Sequence, residues 1–248
     1  YLTVMFNESV KKADEIDINK YLKDQMFTLY KEAVDKMGDH FSNKFELGEF
    51  YEDGVAILDW FKKKRGQYFS SRNEELIGIE VPIYHPVNED NNKVMMLGYL
   101  DIVIRDKRDN KITIIDIKTS TMGWNKYQKA DKTKTSQLVL YKKYFAEQYG
   151  YDVENIDVKY MIVKRKLIEG AMFPQKRITD FMPASGKPTR NKLATEIKGF
   201  VDSAFHDNGE FNLDRKYPAI AGKNNKHCKW CEFKDQPDMC PKQDRIKE

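Results

Sequence analysis

The sequence predicts a mixed α/β domain: helices first, then a β-meander, then a helix that returns to a fourth strand. Three observations lead there. Apolar residues recur at three and four positions through 22–37 and again through 45–64, which is helical spacing. Three runs rich in Ile and Val, Leu76–Tyr84, Leu97–Ile104 and Ile112–Lys118, alternate apolar with polar and are joined by short polar turns. A further helical stretch, Gln137–Gly150, separates the third run from another, Ile156–Lys164, and a helix between two strands suits a parallel crossover.

In chain order, Tyr1–Ile18 is polar with scattered apolar residues and predicts no definite element. Asn19 suits an N-cap for the first helix, whose apolar positions are Leu22, Met26, Tyr30, Ala33 and Met37, and Gly38 suits its stop. In the second helix Leu47, Tyr51, Gly54, Leu58 and Phe61 make the inner stripe. Lys62–Arg65 put positive charge in its last turn, where the helix dipole favours it. In the first strand Ile77, Ile79, Val81 and Ile83 share one face, Glu80 points the other way, and Pro82 favours an edge. His85 reads as a loop residue, 88–93 as a turn and Asp106–Asn110 as the next turn. After Ile156–Lys164, Arg177–Met182 reads as a strand and Thr189–Phe205 as a helix. The chain thus divides into a helical segment at 1–44, a core at 45–206 and a cysteine-bearing tail at 207–248.

The central hairpin carries the chemistry. Asp116 and Lys118 are two apart on one strand and so share a face. A turn centred near Arg108–Asp109 puts Asp101 opposite Asp116, where side chains lie ~5 Å apart. Two carboxylates that close repel unless something positive sits between them. A divalent metal would serve, with Lys118 as a second positive charge at the rim. Asp116 is set among Ile114, Ile115 and Ile117, so its charge borders a core, and Gly98 leaves room for close backbone approach. Gln137 and Tyr141, four apart on a helix, stack on one face. The plain alternative is a half-solvated hairpin with ordinary surface charge and a Tyr141 that is simply core.

Gly98-x-x-Asp101, Asp116-x-Lys118 and Gln137-x-x-x-Tyr141, in that order, resemble the RecB-type branch of the PD-(D/E)XK nuclease superfamily over roughly 47–163. The resemblance implies a restriction-endonuclease-like αβββαβ core, with N-terminal helices and a Cys-rich appendage. It implies a Mg²⁺- or Mn²⁺-dependent DNA nuclease in which Asp101, Asp116, Lys118, Gln137 and Tyr141 are catalytic. Asp101, Asp116 and the carbonyl of Ile117 would bind the metal. Gly48-x-x-x-Glu52 adds Glu52 as a third carboxylate, at a position that carries His in RecB-type nucleases and Glu in the branch that resembles lambda exonuclease. A solvated Glu on a helix face is the alternative there.

Between the hairpin and the Gln137 helix, Lys126, Lys129, Lys132 and Lys134 are interleaved with Trp124 and Tyr127, and Asp131 is the sole acid. Ammonium groups take phosphates and aromatic faces stack on unpaired bases, so the segment suits DNA. A polar surface loop is the alternative. Near the C-terminus His227-Cys228-x-x-Cys231 is followed by Cys240 and Pro241, and Cys-x-x-Cys lets two thiolates reach one metal. This resembles the C-terminal part of the iron–sulfur clasp of AddB-type and CRISPR-associated four-cysteine nucleases. An iron–sulfur cluster takes four Cys and this chain holds three. The open readings are a fourth ligand before Tyr1, a Cys₃His zinc site completed by His227 or His206, or reduced thiols without metal.

Composition bounds the rest. The net charge of +4 permits a nucleic-acid partner without requiring one. No apolar run approaches the ~20 residues of a membrane span, and no signal-peptide pattern is present, so a cytoplasmic protein away from membranes is expected. Three cysteines confined to the tail do not make a secreted disulfide framework. The absence of a Gly-rich phosphate loop disfavours a small-molecule phosphohydrolase. The expected function is a DNA exonuclease, rather than an endonuclease, of recombination, repair or phage DNA processing. The alternative is a catalytically inactive DNA-binding module working with recombination or replication proteins.

Overall fold

A computed structural model describes residues 1–40, 42–87, 93–215 and 218–247. The expected turn at 88–93 lies, at 88–92, outside the described residues. Among the described residues the helices are α1 (Leu2–Asn7), α2 (Val10–Asp14), α3 (Ile18–Met37), α4 (Lys44–Lys64), α5 (Lys126–Ala130), α6 (Lys132–Tyr149) and α7 (Lys187–Ala204). The strands are β1 (Glu74–Pro86), β2 (Met95–Asp106), β3 (Ile112–Ser120), β4 (Ile156–Lys164), β5 (Ile178–Phe181) and the short pair β6 (Ala219–Ile220) and β7 (Arg245–Ile246).

Strands β1 to β5 form one sheet in sequence order. The meander β1–β2–β3 is antiparallel, β3 and β4 pair in parallel, and β5 closes the edge antiparallel to β4. The parallel pair is possible because α6 carries the chain back across the sheet. Below α6 lies one core, with Leu100, Ile114, Leu138, Tyr144, Phe145, Tyr160 and Ile162. The opposite face packs under α1 and α4, through Met5, Phe61, Ile102, Ile115, Met161 and Val163. β3 thus points Ile114 to one core and Ile115 to the other. A strand buried on both faces reads as a nearly continuous apolar run, and Ile112–Ile117 is one interrupted by Thr113 and Asp116.

Helix ends follow local chemistry. Asp17, not Asn19, caps α3 by accepting the Lys20 N–H, which starts the helix earlier than expected, and Gly38 ends it with φ 78°. Asn43 and Glu46 make a reciprocal capping box at α4. Asp131 caps α6, which therefore begins five residues before Gln137 and takes in half of the lysine-rich segment. That segment is helical rather than an open loop. Tyr1–Ile18 gave no signal because α1 and α2 are too short to show periodicity, yet Met5 and Ala13 are fully buried.

One face assignment needs correcting. Ile77, Val81 and Ile83 join the α6-side core, whereas Ile79 lines a groove on the α4 side with Ile102. Two irregularities break the alternation: a register shift between Leu76 and Gly78, and Glu80 with φ 53°, a left-handed backbone that a Glu rarely adopts.

Candidate active site

The site forms where β2 and β3 part. Their ladder ends at Ile102 opposite Ile115, one pair short of Asp101 and Asp116. Beyond it β3 stays paired to β4 out to Ser120. The Ile117 N–H, which β2 no longer meets, is taken by Asp101 Oδ2 at 2.6 Å. A carboxylate therefore replaces a backbone partner and is fixed by doing so. Oδ1 of Asp101 carries no hydrogen bond among the described residues.

Asp116 follows Ile114 onto the α6 side and is 2% exposed. Lys118, on the same face, brings its ammonium to 2.8 Å from Oδ2, though off the angle of a hydrogen bond, so this buried oxygen has no hydrogen-bond partner. Burial pushes the Asp116 carboxyl above the ordinary carboxylate range; the Lys118 ammonium opposes that, and the Asp101 charge adds to it. Lys118 also donates to Gln137 Oε1 at 3.0 Å, and Gln137 Nε2 donates to Tyr141 Oη at 3.0 Å. Asp116, Lys118, Gln137 and Tyr141 are thus one connected chain from β3 to α6.

Gly98 has a different use from the one expected. A Cβ there would meet the Tyr141 ring at 2.9 Å and its hydroxyl oxygen at 3.2 Å, so the residue that approaches β2 closely is Tyr141 itself. Gly98→Ala should therefore displace Tyr141 or cost about 1–3 kcal/mol as an overpacked contact. Urea unfolding beside wild type checks this, and an unchanged midpoint would mean the ring has room to move.

Sequence reasoning missed Tyr160. It is fully buried, donates to the Lys134 carbonyl, and lies 6.0 Å below the Lys118 ammonium. Burial, and then the charge of Asp116, raise its hydroxyl pKa well above normal, so it stays protonated. The signal was available, since Tyr160 pairs in register with Asp116 across the parallel ladder. Knowing that register required the crossover to be placed first.

Other expected residues fall elsewhere. Glu52 is exposed on α4 and does not join the two aspartates. Asp53, one position on and about 100° around the helix, shares the inward stripe with Ile57 and Phe61 and is the buried acid. Trp124 is half-buried, its ring 5.1 Å from Tyr160, so it packs beside the site rather than standing free for a base. Lys134 sits over Trp124, Lys126 over Tyr127 and Lys129 over Phe181, so these cations already lie on rings of the same chain. Lys129 and Lys132 line a separate groove of about 440 Å³ between α6 and α7. Tyr127 is freely exposed.

Among the described residues no group of three or more His, Cys, Asp or Glu side chains is gathered to hold one ion. The expected set of Glu52 with Asp101 and Asp116 is therefore not assembled. Neither is that of Cys228, Cys231 and Cys240 with His227. The Cys-x-x-Cys turn does form, through Cys231 N–H to the Cys228 carbonyl at 3.3 Å. Cys240 is tied instead to Gln236 and Arg245 through its backbone, and all three thiols are free.

The donors at the fork are of the hard type a divalent cation takes: Asp116 Oδ2, without a hydrogen bond but with the Lys118 ammonium at 2.8 Å, and Asp101 Oδ1. A five-stranded mixed sheet whose β2–β3 ladder parts just before Asp101 and Asp116, with Lys118 on Asp116, defines the restriction-endonuclease-like class. A family model of the PD-(D/E)XK nuclease superfamily matches residues 17–238, and the chain belongs to that superfamily. No curated protein matches it. Among the described residues no helix is long and apolar enough to cross a membrane.

Proposed function

We propose that the chain is a Mg²⁺- or Mn²⁺-dependent nuclease of the RecB-type or lambda-exonuclease-like branch, cleaving DNA phosphodiesters as an exonuclease in recombination, repair or phage DNA processing. The observation that carries this reading is the buried Asp116 carboxylate, its Oδ2 lacking a hydrogen bond, at the β2–β3 fork beside Asp101. Holding an ionised group there is costly, and the Lys118 ammonium 2.8 Å away does not fully offset the burial.

Asp101 Oδ1, Asp116 Oδ2 and the Ile117 carbonyl would hold the ion. Bound there, a divalent metal supplies Lewis-acid polarisation of the phosphate and lowers the pKa of an attacking water. Lys118 does the rest of the electrostatic work: its ammonium stabilises charge that builds on the phosphoryl oxygens in the transition state. Gln137 holds that ammonium toward the fork, and Tyr141 holds Gln137. Each donor is fixed before substrate arrives, so little reorganisation is left for the reaction itself.

The test uses end-labelled linear DNA and closed circular DNA with Mg²⁺, Mn²⁺ or EDTA. Metal-dependent loss of linear DNA with circles intact is the expected result. Nicking of circles makes the activity endonucleolytic. Binding without cleavage under any metal would replace the proposal with the inactive DNA-binding module.

A further inference from the structure

We infer that Arg165 and Lys166, the two residues after β4, form a phosphate clamp for the nucleic-acid backbone next to the fork, and that Asp53 of α4 occupies the clamp until substrate displaces it. The inference rests on the nuclease reading above for its choice of ligand.

The two residues are fixed to the active strand. Arg165 N–H donates to the Ser120 carbonyl at 2.9 Å and Lys166 N–H to the Thr121 carbonyl at 3.0 Å, which extends the β3–β4 pairing past its end. Arg177 Nη1 bonds the carbonyls of Lys164 and Arg165 at 3.1 and 2.7 Å and holds the segment from the other side. Ser120 is two residues beyond Lys118, and a strand advances ~3.3 Å per residue, so the clamp's backbone lies ~7–10 Å further along the sheet than Lys118, while its side chains meet Asp53 on the α4 side, the face opposite the Lys118 ammonium.

The side chains converge on carboxylates of α4. Arg165 lies over the Phe50 ring, donates to Thr121 Oγ1 at 3.2 Å, and stays 3.9 Å from Asp53 Oδ2, too far for a hydrogen bond. Lys166 reaches Asp53 Oδ1 at 3.0 Å and the half-exposed Glu49 at 2.9 Å. Asp53 is 7% exposed, and its Oδ2 is buried with no hydrogen bond. Lys166 is thus shared by two carboxylates, whereas Arg165 meets only Asp53, and imperfectly. A phosphate, with more oxygens and a planar fork to meet, fits the same pair better.

The experiment measures binding of the full chain to fluorescein-labelled single-stranded and duplex DNA in EDTA across a salt series, with metal-dependent cleavage assayed in parallel. The double variant Arg165→Ala/Lys166→Ala should bind at least tenfold more weakly, with a salt slope lowered by about 1 to 2. That variant leaves Asp53 buried without partners, so the triple variant adding Asp53→Asn guards against misfolding and should bind equally weakly. Asp53→Asn alone, which removes the shared carboxylate while Glu49 still holds Lys166, should bind about threefold more tightly. Wild-type affinity and slope in the well-folded triple variant would overturn the clamp and leave the nuclease reading standing. So would weakened binding by Asp53→Asn. Loss of slope in a protein whose wild type never cleaves would support the clamp and overturn the nuclease reading.

Discussion

Asp116→Asn should abolish metal-dependent DNA cleavage and at the same time raise the melting temperature of the metal-free protein. The two effects share a cause. Asp116 is almost wholly buried, and burial raises its carboxyl pKa in the folded chain. A raised carboxyl contributes stability that is fully present below its unfolded value of about 4 and is lost as pH rises through the folded value. At neutral pH the ionised group is therefore a net cost to the metal-free fold, even with Lys118 beside it. The amide keeps the shape and removes the charge, an exchange of function for stability that active sites often permit, here of about 1 kcal/mol. For a chain of this size that corresponds to roughly 2–4 °C. The gap between variant and wild type should close as pH falls through the folded pKa of Asp116, because both side chains are then neutral. Adding Mg²⁺ or Mn²⁺ should raise the melting temperature of wild type and not of the variant. A variant that melts lower than wild type at neutral pH, and alike in acid and base, would show that the Lys118 pair outweighs burial.

Lys118→Ala should lower the cleavage rate about 10²–10³-fold while leaving DNA affinity within a few-fold of wild type. The magnitude is that of removing one preorganised group from a site of developing charge. Single-turnover kinetics with excess protein separate the two quantities. Lys118→Arg should not rescue. The ammonium must reach both Asp116 at 2.8 Å and Gln137 at 3.0 Å. A planar guanidinium does not match the position of a point charge between two fixed oxygens. Equal loss of rate and affinity would make Lys118 a substrate-binding residue instead.

The site was legible in the sequence to the extent that it depends on strand alternation and helix spacing. Asp116 and Lys118 share a face because they are two apart, and Gln137 meets Tyr141 because they are four apart. The hairpin register that predicts Asp101 opposite Asp116 holds up to the neighbouring pair Ile102 and Ile115, where the ladder ends and Asp101 turns to the Ile117 N–H instead. The helix α4 exposes the limit of that reasoning. The stripe Leu47, Tyr51, Gly54, Leu58 and Phe61 does contain the buried Phe61, yet one residue of rotation separates exposed Glu52 from buried Asp53. Two surfaces compete for that helix, since Gly54 faces Leu22 of α3 while Ile57 and Phe61 face the sheet. Periodicity reports that a helix is amphipathic, not which of two neighbours claims which side.

By itself, then, the sequence determined the order of the sheet strands and of the helices from α3 onward that flank them, the shared face of Asp116 and Lys118, and the Gln–Tyr pair, because each depends on residues within one strand, hairpin or helix. Only the tertiary structure decided what Gly98 makes room for, that Trp124 packs on Tyr160, that the cysteines do not gather, and that Asp53 meets Arg165 and Lys166. Each of these joins parts of the chain far apart in sequence or turns on how such parts pack. Their partners are set by which surfaces remain after the two cores have closed, and no local periodicity records that choice.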